Sequence, residues 1–229
     1  MVLKKLIIFS LICLFITLLL INQYFDNSKK NTIFDLKYTR LTIENDILYL
    51  KNKKDNSLYT SYNIKTFESG IRYIRTITKN VLKEKNRKNV LMLGFGLGAI
   101  PLRLSLDDNI ERLDCVDIDE ELFIYFKKLF PYHSKKIKLH LTDANSYLKN
   151  TRTKYDIIID DVFDGYNKIN LDYLSLKKCL NKTGKLFMNN YDINNKNVNI
   201  VRNNKKIFSK SFNKIIPNIK SQSVYIFNY

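Results

Sequence analysis

From Asn89 onward the chain alternates short apolar runs with segments of helical spacing, and this alternation narrows the fold more than any other feature. NVLMLG, ERLDCVDID, KIKLHLTD, YDIIIDD and GKLFMNN are five strand-like runs. Between them lie GLGAIPLRLS, EELFIYFKKLF, NSYLKN and LDYLSLKKCL, which read as helices. Consecutive parallel strands need a crossover, usually a helix, and the sheet is then covered on both faces. The pattern predicts an α/β fold with a mostly parallel sheet. VRNNKKIFSK reads as a further helix, and FNKIIP and SVYIF lie close enough to pair as a C-terminal antiparallel hairpin. Upstream, LKYTRLTIENDILYLKNKKDNSLYT holds two or three strand-like runs separated by turn residues at Asn45-Asp46 and in KKDN. Phe67, Ile71, Ile74, Ile77 and Val81 then recur at spacings of three and four, which predicts one helix face.

The first strand of the alternation runs directly into Gly94, Gly96 and Gly98. Glycines there permit a tight turn and let a ligand approach the backbone. Asp117 ends the second strand, where a carboxylate can accept hydrogen bonds from ribose hydroxyls. That order of features points to a nucleotide-type ligand. Gly94, Gly96 and Ala99 also fit the dinucleotide fingerprint G-x-G-x-x-A, so a nicotinamide-dependent oxidoreductase is a competing reading. Asp143 at the end of the third strand and the closing hairpin oppose it. The fourth strand, YDIIIDDVFDG, delivers Asp160, Asp161 and Asp164 to the edge where open parallel sheets bind ligands. Asp161 and Asp164 are read as functional, Asp160 as structural or solvated, and Asp156 as surface.

The start of the chain is a separate element. Lys4 and Lys5 precede an apolar run over residues 6–21, interrupted only by Ser10 and Thr17. Its length is near the lower limit for crossing a bilayer. No small-residue cleavage site follows it. Residues 1–25 are therefore expected to be a single-pass N-terminal membrane anchor, 26–35 a polar linker, 36–65 a small β-piece, and 66–229 the main domain. Lysines on both sides of the run leave the orientation open. The net charge of +17 invites nucleic acid as a partner, but the excess is spread along the chain and reads as a solvated basic surface. Cys13, Cys115 and Cys179 form no CxxC pair, and His133 and His140 have no metal-ligand spacing. No metal is expected. A homodimer stays open.

The motifs VLMLGFGLGA, LDCVDIDEELFIYFKKLFP, KIKLHLTDANSYLKN and YDIIIDDVFDG, taken in order, resemble those of the spermidine synthase family, within the Rossmann-like methyltransferases. The resemblance covers roughly residues 36–229. It implies a seven-stranded, mostly parallel sheet with a C-terminal antiparallel hairpin, preceded by a small N-terminal β-piece. It implies S-adenosylmethionine or its decarboxylated form as cofactor. Gly94, Gly96 and Gly98 would line its methionine part, Asp117 its ribose and Asp143 its adenine amino group. Asp161 corresponds to the catalytic aspartate and Asp164 to the second aspartate of a D-x-x-D element. Two positions depart from the family. The carboxylate of its GGGDGG-type loop is here Leu97, and its Tyr-His-Glu element is here Tyr73, Ile74 and Arg75. The resulting expectation is a membrane-anchored transferase acting on an unidentified small-molecule nucleophile. A non-catalytic relative that keeps the fold as a binding or scaffold module is the alternative.

Overall fold

The structure, a computed structural model, describes residues 31–164, 167–191, 212–214 and 222–228. Strands β1 (Asn31–Asp35), β2 (Thr39–Glu44), β3 (Ile47–Asn52) and β4 (Leu58–Asn63) form an antiparallel meander in sequential order. Asn45 and Asp46, both at positive φ, make the two-residue turn between β2 and β3. Such a turn matches the right-handed twist of a hairpin, and Asn and Asp tolerate it. One face of the meander is apolar: Leu41, Leu48, Leu50 and Tyr62 are buried. The expected β-piece is therefore a four-stranded sheet, and β1 begins inside the stretch read as linker.

Helix α1 (Arg72–Val81) buries Ile74, Ile77, Thr78 and Val81. The expected face is correct from Ile74 onward, but Phe67 lies before the helix at φ 57°. It is buried edge-on against Phe130 and His133. Its apolar spacing came from packing around a turn, which periodicity alone does not separate from a helix.

The main sheet follows: β5 (Asn89–Leu93), α2 (Ala99–Ser105), β6 (Arg112–Asp117), α3 (Glu120–Leu129), a 3-10 turn (His133–Lys135), β7 (Ile137–Leu141), α4 (Ala144–Asn150), β8 (Tyr155–Asp160), a small pair β9 (Phe163–Asp164) and β10 (Asn167–Lys168), α5 (Tyr173–Cys179), β11 (Leu180–Tyr191), β12 (Phe212–Lys214) and β13 (Gln222–Asn228). The seven-stranded order is β12-β13-β11-β8-β5-β6-β7. Strands β7, β6, β5, β8 and β11 are parallel, and β13 is antiparallel to β11 and to β12. The order reverses at β5, between β6 and β8, which is where open α/β sheets form their ligand crevice. The helix read over VRNNKKIFSK lies outside the described residues.

Both faces of the sheet are covered, so its strands are apolar throughout. Val90, Met92, Cys115, Ile157, Ile159 and Phe187 belong to one core, while Leu91, Leu93, Val116, Ile158, Leu186 and Met188 belong to the other. Cys115 and Cys179 are free and buried. Asp156 is not simple surface: it accepts from the Asn89 amide at 2.9 Å and from Asn181 Nδ2 at 2.6 Å, tying together the starts of β5, β8 and β11.

The membrane localisation is corrected. Among the described residues no helix is long and apolar enough to cross a membrane. The longest helices among the described residues, α1 and α3, have 10 residues each, a length of about 15 Å at the helical rise, against a hydrocarbon core about 30 Å thick. Residues 1–25, on which the anchor was read, lie outside the described residues.

The small sheet docks on the main domain through Tyr62. Its side chain is fully buried and its hydroxyl donates to the Leu97 carbonyl at 2.9 Å. Tyr62→Phe removes that bond at nearly constant volume. Urea unfolding is expected to show a loss of about 1–2 kcal/mol. Unchanged stability would mean that the two parts hold together by apolar contact alone.

Candidate functional site

The C-terminal ends of β5, β6, β7 and β8 converge on one edge. The loop after β5 turns through Gly94, Gly96 and Gly98, at φ 80°, 54° and 78°. These values disfavour any residue with a Cβ. Each glycine also meets a different constraint. A Cβ at Gly94 would fall 2.3 Å from the Asp161 carbonyl oxygen, so the loop and the end of β8 are in backbone contact. A Cβ at Gly98 would strike the Phe126 ring at 2.6 Å. At Gly96 a Cβ would meet nothing within 4 Å, and this exposed glycine leaves the loop open toward the crevice.

Asp117 organises that loop. Its Oδ2 accepts from the Phe95 and Gly96 amides at 2.6 and 3.4 Å, and its Oδ1 from the Ile118 and Asp119 amides at 2.7 and 3.1 Å. A carboxylate holding four amides is fixed in rotamer and remains able to accept further bonds. Ile118 beside it is 74% exposed, and Leu141, paired across from Asp117 in register, is 51% exposed. Two open apolar side chains at one sheet edge are a surface that a ring can cover. Asp143 is exposed at the N-terminus of α4, where it caps the helix by accepting from the Ser146 amide at 2.9 Å. Leu97 turns inward and is only 1% exposed.

Asp161 is partly buried and held from two sides. Its Oδ1 accepts from Asn189 Nδ2 at 2.7 Å, and its Oδ2 from the Tyr73 hydroxyl at 3.3 Å. Its own amide donates to the Leu93 carbonyl at 2.9 Å. Loss of hydration pushes its pKa up to about 6, against the opposing hydrogen bond from Asn189 and the charge of Lys168. Burial likewise pushes the Tyr73 phenol well up, with the Asp161 charge adding to it, so Tyr73 is a neutral donor here. A partly dry carboxyl near neutrality, held by two neutral donors, is suited to taking up a proton.

The structure thus brings together Gly94, Gly96, Gly98, Asp117 and Asp161, with Asp143 further along the same edge. Asp164 is exposed on β9, outside the contacts that hold Asp161. Asp160 is fully buried against Lys168 and Tyr173. Asn189 was not singled out from the sequence. Its only signal was that it ends the apolar part of a strand at the same sheet edge as Asp161. Tyr73 was noted only as part of a departed motif. Arg75 donates to the carbonyls of Ser69 and Gly70 at 3.2 and 2.8 Å. It lies two residues past Tyr73, about 200° around the helix. Among the described residues no cluster of metal-binding side chains occurs.

The spermine/spermidine synthase domain model matches residues 71–228. The polyamine aminopropyltransferase of Methanocaldococcus jannaschii is 34% identical over 109 residues, 43% of this chain and 37% of that protein. That of Buchnera aphidicola is 29% identical over 134 residues, 51% of this chain and 47% of that protein. The chain thus matches less than half the length of either relative. A probable spermidine synthase from Corynebacterium glutamicum superposes with a TM-score of 0.70 at 14% identity, covering 85% of this chain and 78% of that one. Human methyltransferase-like protein 13 in complex with SAH superposes at 0.57 and 17% identity, covering 68% and 80%. At such identities these structures show the Rossmann-like methyltransferase fold.

The electrostatics of Asp161 make a prediction. Its folded pKa is raised from 3.8 to about 6. The protonated folded form is favoured, so this group's contribution is fully present below about pH 4 and is lost as pH rises through about 6. Ionisation at its site then costs of order 1–3 kcal/mol. Asp161→Asn is expected to be more stable than the parent at about pH 8 by that amount, and equal to it near pH 4. Urea denaturation at the two pH values checks this, and a pH-independent difference would remove the perturbed carboxyl.

Proposed function

The chain belongs to the spermine/spermidine synthase domain family, and from that premise we propose that it is a transferase using an S-adenosylmethionine-type sulfonium to alkylate an amine at Asp161. The observation that carries this reading is the contact between the glycine loop and the end of β8. It sets Asp161, with its raised pKa, directly beside the loop that would hold the cofactor. The residues present fit such a group: open space faces Gly96, Asp117 is pre-oriented, and Ile118 and Leu141 offer apolar surface between Asp117 and Asp143. In this reading Gly94, Gly96 and Gly98 line the methionine part, Asp117 takes the ribose hydroxyls, and Asp143 takes the adenine amino group.

When bound, the sulfonium supplies an electrophilic carbon. The chain's own part is to hold the nucleophile and its proton. Asp161 Oδ accepts the proton from the attacking amine as the nitrogen–carbon bond forms and the sulfur–carbon bond breaks. Asn189 and Tyr73 keep the carboxyl oriented through its two oxygens. Asp164, exposed on the following strand, would attract the cationic amine to the crevice mouth.

The glycine loop separates this chain from an ordinary putrescine aminopropyltransferase. Leu97 is packed into the apolar core, so the loop presents no carboxylate to an aminopropyl ammonium. Its absence removes one charge-assisted hydrogen bond of about 1.5–3 kcal/mol, or roughly tenfold to a hundredfold in rate. The Arg75 guanidinium is bonded to the Ser69–Gly70 turn, so its charge is engaged there. Purified protein with decarboxylated S-adenosylmethionine and putrescine is expected to turn over well below about one per second. Turnover at or above that rate would make it an ordinary member in chemistry as well as fold.

Cofactor binding is tested separately. Asp117→Ala leaves four loop amides without their acceptor and removes the ribose partner. Calorimetry with S-adenosylmethionine and S-adenosylhomocysteine is expected to show affinity reduced at least about a hundredfold, from hydrogen bonds to a charged acceptor worth about 1.5–3 kcal/mol each. Unchanged affinity would remove Asp117 from the site.

A further inference from the structure

The end of β8 carries a second carboxylate that the proposed chemistry does not use. Asp160 is fully buried, with its Oδ1 2.5 Å from Lys168 Nζ, whose side chain is also fully buried. The same ammonium lies 3.2 Å from the Asp160 carbonyl and 4.6 Å from the centre of the Phe163 ring. Tyr173 donates to Asp160 Oδ2 at 2.8 Å, and the Val162 amide donates to Oδ1 at 3.3 Å. A buried ion pair is expensive to desolvate and is weak evidence of a purely stabilising role. The neighbours on that face of the sheet, Ile158 and Leu186, are apolar, so packing there has no need of charge. What the pair does have is its place: it adjoins Asp161, and its cation comes from β10, just beyond the residues that leave the site.

We propose that Lys168 is a positioning residue for Asp161: by bridging the side chain and carbonyl of Asp160 it pins β9 and β10 to the end of β8 and neutralises the one carboxylate adjoining the proton acceptor. The inference rests on the reading of Asp161 as that acceptor. Tyr73 from α1 and Asn189 from β11 bond Asp161 directly, while Asp160 from β8 and Lys168 from β10 act on it through their charges. Lys168 is the cation among them. Asp160 raises the Asp161 pKa and Lys168 lowers it, so the two act in opposite senses as long as the pair is intact. Without Lys168 the Asp160 charge acts alone, and two adjacent carboxylates resist ionising together.

The test uses the full chain and carboxyl carbon NMR, with the Asp161 signal assigned by its loss in Asp161→Asn. In Lys168→Met the Asp161 titration midpoint is expected to rise by about one pH unit. An unchanged midpoint in the folded variant overturns the proposal. The double variant Asp160→Asn/Lys168→Met removes both charges and remains informative if the single variant does not fold. Its Asp161 midpoint is expected to stay close to the parent's, while the amides of β9 and β10 exchange about tenfold faster, the loss of roughly one stabilising interaction. Unchanged protection there overturns the pinning role. Neither readout uses turnover, so a parent protein that fails to bind S-adenosylmethionine by calorimetry refutes the cofactor reading and leaves the Lys168 result to be judged by itself.

Discussion

Successive side chains of β8 leave the backbone on opposite faces of the sheet, and β8 lies between β5 and β11 with both faces covered. Ile158 and Asp160 therefore point into one core, with Met188 and Tyr173. Ile157 and Ile159 point into the other, and Asp161 continues on that side toward Tyr73. Two neighbouring aspartates thus have opposite environments. One is sealed in with a lysine, and the other opens to the crevice between two neutral donors. A one-residue slip of β8 against β5 would exchange them, because register decides the face. The site rests on that register, which the pairing of Leu93 with Asp160 records.

The glycine loop depends on the same strand. Gly94 is where β5 must pass the Asp161 carbonyl without a side chain, and Gly98 is where the following helix must pass Phe126. Asp117 then collects the amides that the turn leaves pointing inward. The three acids at this edge consequently differ in character. Asp117 is held by backbone donors, Asp143 caps a helix in solvent, and Asp161 is held partly dry. The chain carries a net charge of +17, yet this edge is acidic. Charges farther away than about 10 Å are screened by salt, so nearby carboxylates set the local field.

Much of the fold was legible because burial on both faces writes an unmistakable pattern. The five apolar runs are all strands of one sheet, and the closing strands pair antiparallel as their spacing suggested. The glycines and Asp117 were legible for a similar reason: a turn at positive φ and an acid at a strand end leave few alternatives. Phe67 was misplaced because a buried aromatic next to a turn has the same spacing as a helical one. Asp156 was undervalued because its partners, Asn89 and Asn181, are 67 and 25 residues away.

The sequence by itself determined the layered α/β architecture and the placing of Gly94, Gly96, Gly98, Asp117 and Asp161 at strand ends, since each follows from local periodicity or from a backbone that tolerates only certain residues; the strand order that makes β5 the switch point is tertiary. Only the tertiary structure decided that Leu97 faces the core, that Arg75 serves a turn, that Tyr73 and Asn189 hold Asp161, and that Lys168 is buried against Asp160. Those outcomes depend on hydrogen bonds and charges between elements far apart in the chain. Such pairings are set by how helices and strands dock, and local composition carries no record of that docking.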